Sequence, residues 1–188
     1  MKVSLIVIGV LVLLLLVVGG EYVSVRNDLV TQQEAVRAQW SNVEGSMQRR
    51  ADLIPNLVNT VKGFAQHETE VYKDIDNARA ALAGGRTPQE KGAANDQLSG
   101  AISRLLMVAE NYPQLRSSEN FRSLQDELSG SENRIYVERR KYNEALQSYN
   151  KTLQLFPNNI VAALSGFSRN DAYFKTEPGA DKAPKVQF

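Results

Sequence analysis

The sequence predicts an all-α protein: an N-terminal transmembrane helix followed by an elongated, antiparallel, up-and-down bundle of three or four long helices. Three observations carry this. The 18 residues from Val3 to Gly20 hold no charge. Beyond them, apolar residues recur at seven-residue spacing almost throughout, the period of helices packed on helices. No run alternates with period two for long enough to make a strand. Three segments follow: an anchor over residues 1–21, a bundle over 22–174 and a flexible tail over 175–188.

The anchor comes first. A helix of 18 residues is about 27 Å long, close to the thickness of a bilayer core. Ser4 and Gly9 are tolerated there. Lys2 marks one edge, and Glu21, Tyr22 and Arg26 the other, with Tyr22 where an interfacial aromatic lies. The alternative is a cleaved signal peptide, but the apolar run is long and no A-x-A site follows it. The anchor places residues 3–20 in a lipid bilayer. Lys2 favours a cytoplasmic N-terminus and an exported body, whereas Arg26 and Arg37 favour the reverse; the exported body is preferred.

In the next stretch one register reads Tyr22, Leu29, Val36, Val43, Arg50, Leu57, Phe64, Val71 and Ala78. Its companion reads Arg26, Gln33, Trp40, Met47, Ile54, Val61, Glu68, Ile75 and Leu82. Pro55 interrupts the run, and proline ends or kinks a helix. The apolar phase is the same on both sides, so one long kinked helix is preferred over two helices. Gly84-Gly85 stops it. Thr87-Pro88-Gln89-Glu90 then gives an N-cap, a proline at the first helical position and a glutamate at the third, a capping box. The helix it opens aligns Ala94, Leu98, Ile102, Leu105, Ala109 and Tyr112, and Pro113 ends it. Ser117 or Ser118 opens the last long helix, where Phe121, Leu128, Ile135, Tyr142, Tyr149 and Phe156 repeat at seven and Pro157 closes. The apolar segment 160–167 and Tyr173-Phe174 are read as a cover for the bundle end. Gly45, Gly63, Gly100 and Gly130 are read as points of close helix contact.

Composition limits the chemistry. The chain has 188 residues, one histidine and no cysteine. That excludes disulfides, thiolate metal sites and a cysteine nucleophile, and makes triad chemistry and multi-histidine metal sites poor readings. Lys2 is the single charged residue among the first twenty, so the body's 21 basic and 21 acidic residues cancel. A neutral body gives no case for nucleic acid. No enzyme activity, metal or cofactor is expected. His67 with Glu68 and Glu70 lacks a second histidine, and a polar cluster at a bundle end is preferred there. The basic pairs Arg49-Arg50 and Arg139-Arg140 are read as solvated faces with intrahelical partners such as Glu138 with Lys141.

Polar residues at core-register positions are the candidate structural network: Arg50, Glu68, Gln125, Glu132 and Arg139. Such groups specify register at a cost in stability; the competing reading puts them at the edge of a slightly rotated core. The ending Lys185-Val186-Gln187-Phe188 is the candidate partner-binding site, because an extended C-terminus can add a strand to a domain that captures its carboxylate.

Longer strings are more specific. They include Gln39-Trp40-Ser41-Asn42-Val43, Arg49-Arg50-Ala51-Asp52-Leu53-Ile54-Pro55-Asn56-Leu57-Val58, Glu110-Asn111-Tyr112-Pro113 and Glu132-Asn133-Arg134-Ile135. Tyr142-Asn143, Gly166-Phe167 and Tyr173-Phe174 follow in the same order. Over residues 21–174 the sequence closely resembles the LemA family of bacterial proteins, departing mildly at Gly45, Ser46 and Ala51. The resemblance implies a membrane anchor and a bundle of four helices, a count that favours a turn near Pro55. It implies no enzyme activity and leaves the molecular role undefined. The function read here is a membrane-anchored, non-enzymatic scaffold contacting other envelope proteins, with self-association through the heptad seam. The alternative is a sensor or small-ligand-binding bundle, with its ligand near Trp40 and the tyrosine stripe.

Overall fold

The computed structural model describes residues 2–175, with side chains from residue 4. Its described residues form six helices and no strand: α1 (Lys2–Lys62), α2 (Thr69–Gly84), α3 (Pro88–Glu110), α4 (Pro113–Ser117), α5 (Glu119–Thr152) and α6 (Asn158–Ser165). The chain divides into two compact units. One joins Met1–Gln39 with Tyr142–Asp171, the other Trp40–Lys141 with Ala172–Phe188. Helices α1 and α5 contribute residues to both.

Helix α1 passes through Pro55 without a break. A proline inside a helix costs about 3 kcal/mol, because it lacks an N–H and crowds the previous turn. Around it Ile54, Leu57, Val58 and Val61 are buried. Each contributes roughly 1.5–3 kcal/mol on full burial, which outweighs the proline. The break comes at Gly63 instead, so the expectation of one helix reaching Gly84 is corrected. The N–H groups of Phe64 and Ala65 both donate to the carbonyl of Val61 at 2.9 Å, ending the helical ladder. Tyr72 on α2 then clasps the turn. Its hydroxyl donates to the Ala65 carbonyl at 2.7 Å, and Lys62 Nζ lies 4.8 Å from its ring centre. Burial, followed by the nearby Glu68 and Tyr112, raises the Tyr72 pKa. On α2 the predicted Ile75, Ala78 and Leu82 are buried, while Tyr72 takes the buried place expected of Val71.

The capping box forms as the sequence predicts. Glu90 N–H donates to Thr87 Oγ1 at 3.2 Å, and Glu90 Oε2 accepts from the N–H groups of Arg86 (2.8 Å) and Thr87 (3.1 Å). Those two backbone bonds lower the Glu90 pKa. Of the predicted α3 face, Ala94, Leu98, Ile102, Leu105 and Ala109 are buried, and Tyr112 is half-buried beyond the helix end.

On α5 the sevenfold repeat is buried from Phe121 to Tyr149. Helix α5 stops at Thr152, short of Pro157, and Pro157 instead precedes α6. Phe156 therefore leaves the stripe and is 80% exposed. Gly166 ends α6 with a left-handed φ of 76°, a conformation glycine adopts without a Cβ penalty. The segment after it is tied to α5. Asn150 exchanges two hydrogen bonds with the Asn170 backbone, and Tyr149 donates its hydroxyl to the Ser168 carbonyl at 3.2 Å. The glycines read as close-contact points are not such points. A Cβ at Gly45, Gly100 or Gly130 meets nothing within 4 Å, and one at Gly63 meets only the carbonyls of Asn59 and Thr60.

Candidate functional site

In the unit containing residues 40–141, Arg50 on α1 and Arg139 on α5 reach across to α3. Arg50 is 4% exposed on α1, held there by the buried Met47, Ala51 and Ile54 around it. Its Nη1 donates to Glu132 Oε2 on α5 at 2.5 Å, and to Ser99 Oγ (2.8 Å) and Asn95 Oδ1 (3.2 Å) on α3. One guanidinium thus links three helices. The pair is lopsided, because the Glu132 side chain remains 46% exposed. Burial lowers the Arg50 pKa, and the adjacent Glu132 opposes that shift. Arg50 Nε and Asn95 Nδ2 are buried without a hydrogen-bond partner, a cost the network carries.

The second arginine is Arg139 on α5. It donates to Asp96 Oδ1 at 3.0 Å and to the Gly92 carbonyl at 3.4 Å, both on α3. Its guanidinium carbon lies 4.9 Å from the Phe174 ring centre, a cation–π contact. Phe174 in turn stacks on Trp40, with centroids 5.9 Å apart and an interplanar angle of 27°. Gly92 makes room for this ring, since a Cβ there lies 3.1 Å from Phe174 Cε1. Salt bridges Lys91–Glu44 (3.2 Å) and Arg104–Asp74 (2.8 Å) add α3–α1 and α3–α2 links.

The five network positions divide accordingly. Arg50, Glu132 and Arg139 engage α3. Gln125 is exposed and lines an open groove of about 410 Å³ beside Arg50 and Glu132. Glu68 is not a core-register residue of the first helix. It is the N-cap residue of α2, without a side-chain cap bond, because the turn at Gly63 removes it from α1. The basic pairs divide: Arg49 and Arg140 are exposed, as a solvated face requires, while Arg50 and Arg139 turn inward. The expected Glu138–Lys141 pair is present at 3.0 Å. His67 and Glu70 are exposed, and among the described residues no group of three or more His, Cys, Asp or Glu could hold a metal ion. Sequence reasoning missed Asn95, Asp96, Ser99 and Gly92. The signal available was that they span two turns of one helix, Gly92 to Ser99, on the side next to the apolar face. The Lys185–Phe188 tail lies outside the described residues.

Helix α1 has its apolar end entirely exposed and long enough to cross a membrane. Joined to a helical bundle with interhelical arginines, it defines the class: a membrane-associated, all-helical protein. The chain belongs to the LemA family, whose match covers residues 39–188. It is similar to the magnetosome protein MamQ 2 of Paramagnetospirillum magneticum, 28% identical over 181 residues, with 82% of this chain and 66% of that protein covered. It is likewise similar to MamQ of Magnetospirillum gryphiswaldense, 25% identical over 181 residues and with the same coverage. Protein LemA of Metamycoplasma hominis is 26% identical over 145 residues, covering 75% of this chain and 65% of that one. The chain therefore spans slightly less than two thirds of these relatives' lengths.

Proposed function

We propose that the protein is a membrane-anchored, non-enzymatic helical scaffold of the bacterial inner membrane, with its bundle on the exported side. The observation that supports this is the change of surroundings along one unbroken helix. From Leu5 to Val18 the large apolar side chains of α1 are 50–69% exposed, whereas Leu29, Val43, Ile54 and Leu57 are fully buried. The first part suits lipid and the second holds a bundle. The aliphatic heptad residues of α1 from Leu29 to Val61 are already buried within the chain, so self-association calls for other surfaces. Partner capture by Lys185–Phe188 is the contact we assign to the tail. The magnetosome association in the relatives' names belongs to those proteins.

Crosslinking in native membranes, read by mass spectrometry, tests the scaffold. Fixed protein partners or homo-oligomers are expected, and deletion of Val186–Phe188 should remove a partner while leaving helicity unchanged. A partner-free monomer contradicts it. A topology reporter fused at the C-terminus tests the side. One observation favours a ligand-binding bundle as a second reading: the open groove in which Arg50, Ser99, Gln125 and Glu132 stand beside the apolar Ile102, Leu106 and Leu128. A compound that raises the melting temperature of the wild type but not of Glu132→Leu would support it.

A further inference from the structure

A second charge-free stretch lies far from the anchor in sequence. Residues 152–168 contain no charged side chain, and Lys151 and Arg169 stand immediately outside it. Within it, Leu155, Phe156, Ile160 and Leu164 are exposed, Phe156 at 80% and Leu164 at 73%. Helix α6 buries its other side through Val161 and Ala162. Ile160 and Leu164 are one turn apart and share a face, so the exposed apolar surface of α6 is continuous rather than scattered.

A hydrogen bond fixes where one end of this surface sits. Tyr22 Oη and Ser165 Oγ are 3.0 Å apart, and both belong to the same compact unit. Tyr22 is two residues past Gly20, about 3 Å along the helix axis from the end of the uncharged stretch of α1. The last turn of α6 is thereby held at the level where α1 leaves its apolar segment. If the segment spans a bilayer, this level is the headgroup region, where tyrosines sit and where amphipathic helices bury an apolar face. A second copy or a soluble partner would be an unusual neighbour for a surface placed there, whereas lipid surrounds it on every side not occupied by protein.

We propose that the 155–164 segment is a membrane-interface wedge: Leu155, Phe156, Ile160 and Leu164 insert into the headgroup–acyl boundary beside α1, with Lys151 at anionic headgroups. This rests on the anchor reading of α1. The wedge makes the bundle's contact with lipid two-point, so that α1 is not a lone tether.

The absence of cysteine makes any introduced cysteine unique. Full-length Phe156→Cys, Leu164→Cys, Tyr136→Cys and Leu13→Cys proteins are each labelled with nitrobenzoxadiazole. They are reconstituted at high lipid-to-protein ratio in phosphatidylcholine vesicles containing phosphatidylglycerol. Lipids carrying a nitroxide near the headgroup serve as quencher for positions 136, 156 and 164, and lipids carrying one deep on the acyl chain serve for position 13, which lies mid-span. Circular dichroism confirms that each variant keeps its helicity. The wedge predicts blue-shifted emission at positions 156 and 164, with quenching several-fold above that at 136, an exposed position in the other unit. Leu13 reports on the anchor separately. Quenching at Leu13 with positions 156 and 164 no more quenched than 136 overturns the wedge and leaves the anchor standing. No quenching at Leu13 overturns both. A blue shift at 156 or 164 without lipid quenching marks a protein contact instead and also overturns the wedge.

Discussion

In the unit made from residues 1–39 and 142–171, large apolar side chains lie outside: the whole of Leu5–Val18, and then Phe156, Ile160 and Leu164. In the unit made chiefly from residues 40–141, a charged side chain lies inside, Arg50, with Asn95 buried beside it. Both are built from helices with the same sevenfold apolar repeat. The repeat decides which side chains meet between helices. It does not decide what surrounds the helices or what fixes their register. An exposed apolar surface calls for a solvent other than water, and a buried arginine calls for specific partners on specific helices. The comparison separates a lipid-facing role from an internally specified one, and each can be probed by substitutions that act on only one of them.

The sharpest contrast is within the α5 stripe. Tyr142→Ala should destabilise the full chain by about 4 kcal/mol, the usual cost of emptying a buried aromatic site. Phe156→Ala, seven plus seven residues on, should change stability by less than about 0.5 kcal/mol. Guanidinium unfolding in detergent micelles, followed by circular dichroism, measures both; equal losses would break the comparison. Next, Arg50→Ala should cost about 3 kcal/mol, the low end for a broken buried pair because Glu132 retains access to water. The double variant Arg50→Met/Glu132→Leu should recover most of that loss in the same assay, because it removes both charges and keeps the volume. A double variant as unstable as Arg50→Ala would mean that Arg50 acts through something other than its ion pair.

A smaller effect distinguishes the glycines. Gly92→Val should cost about 2 kcal/mol by overpacking against Phe174, and should shift the emission of Trp40, on which Phe174 stacks. Gly130→Ala, with open space around its Cβ, should instead stabilise by up to about 1 kcal/mol. Urea melts and tryptophan spectra of the two variants check the pair of signs. The smallest effect is at the capping box. Glu90 has a lowered folded pKa, so its contribution is present above the ordinary carboxylate value near ~4.3. It is lost as pH falls through the lowered value. The melting-temperature gap between wild type and Glu90→Ala should therefore be open at neutral pH and close in strong acid. A gap that persists unchanged into acid would remove the carboxylate from the account.

Much of this was legible in the residues. Thr87 to Glu90 encode their capping box locally, within four positions, and the structure builds it. The buried faces of α3 and α5 follow from spacing alone as far as Tyr149. What failed was whatever depended on competition between distant terms. Pro55 carries the stronger local break signal, yet the apolar side chains around it hold the helix. Gly63 carries the weaker signal, yet the chain turns there, clasped by Tyr72 from the next helix. Glu68 lost its register for the same reason. The network was half visible: Arg50, Glu132 and Arg139 stood out as charges at core positions. Asn95, Asp96 and Ser99 are ordinary polar residues until the arginines are placed beside them. Gly92 was invisible because its partner ring, Phe174, lies 82 positions further along the chain.

The most direct test of the central claim, that the apolar end of α1 lies in lipid while the rest of the helix holds the bundle, is alkaline carbonate extraction of membranes carrying the full chain. It is run beside a Leu11→Lys/Leu14→Lys variant. The account predicts that the wild type stays with the membrane pellet and that the variant is released with its helical circular dichroism intact. Release of the wild type by carbonate would contradict it.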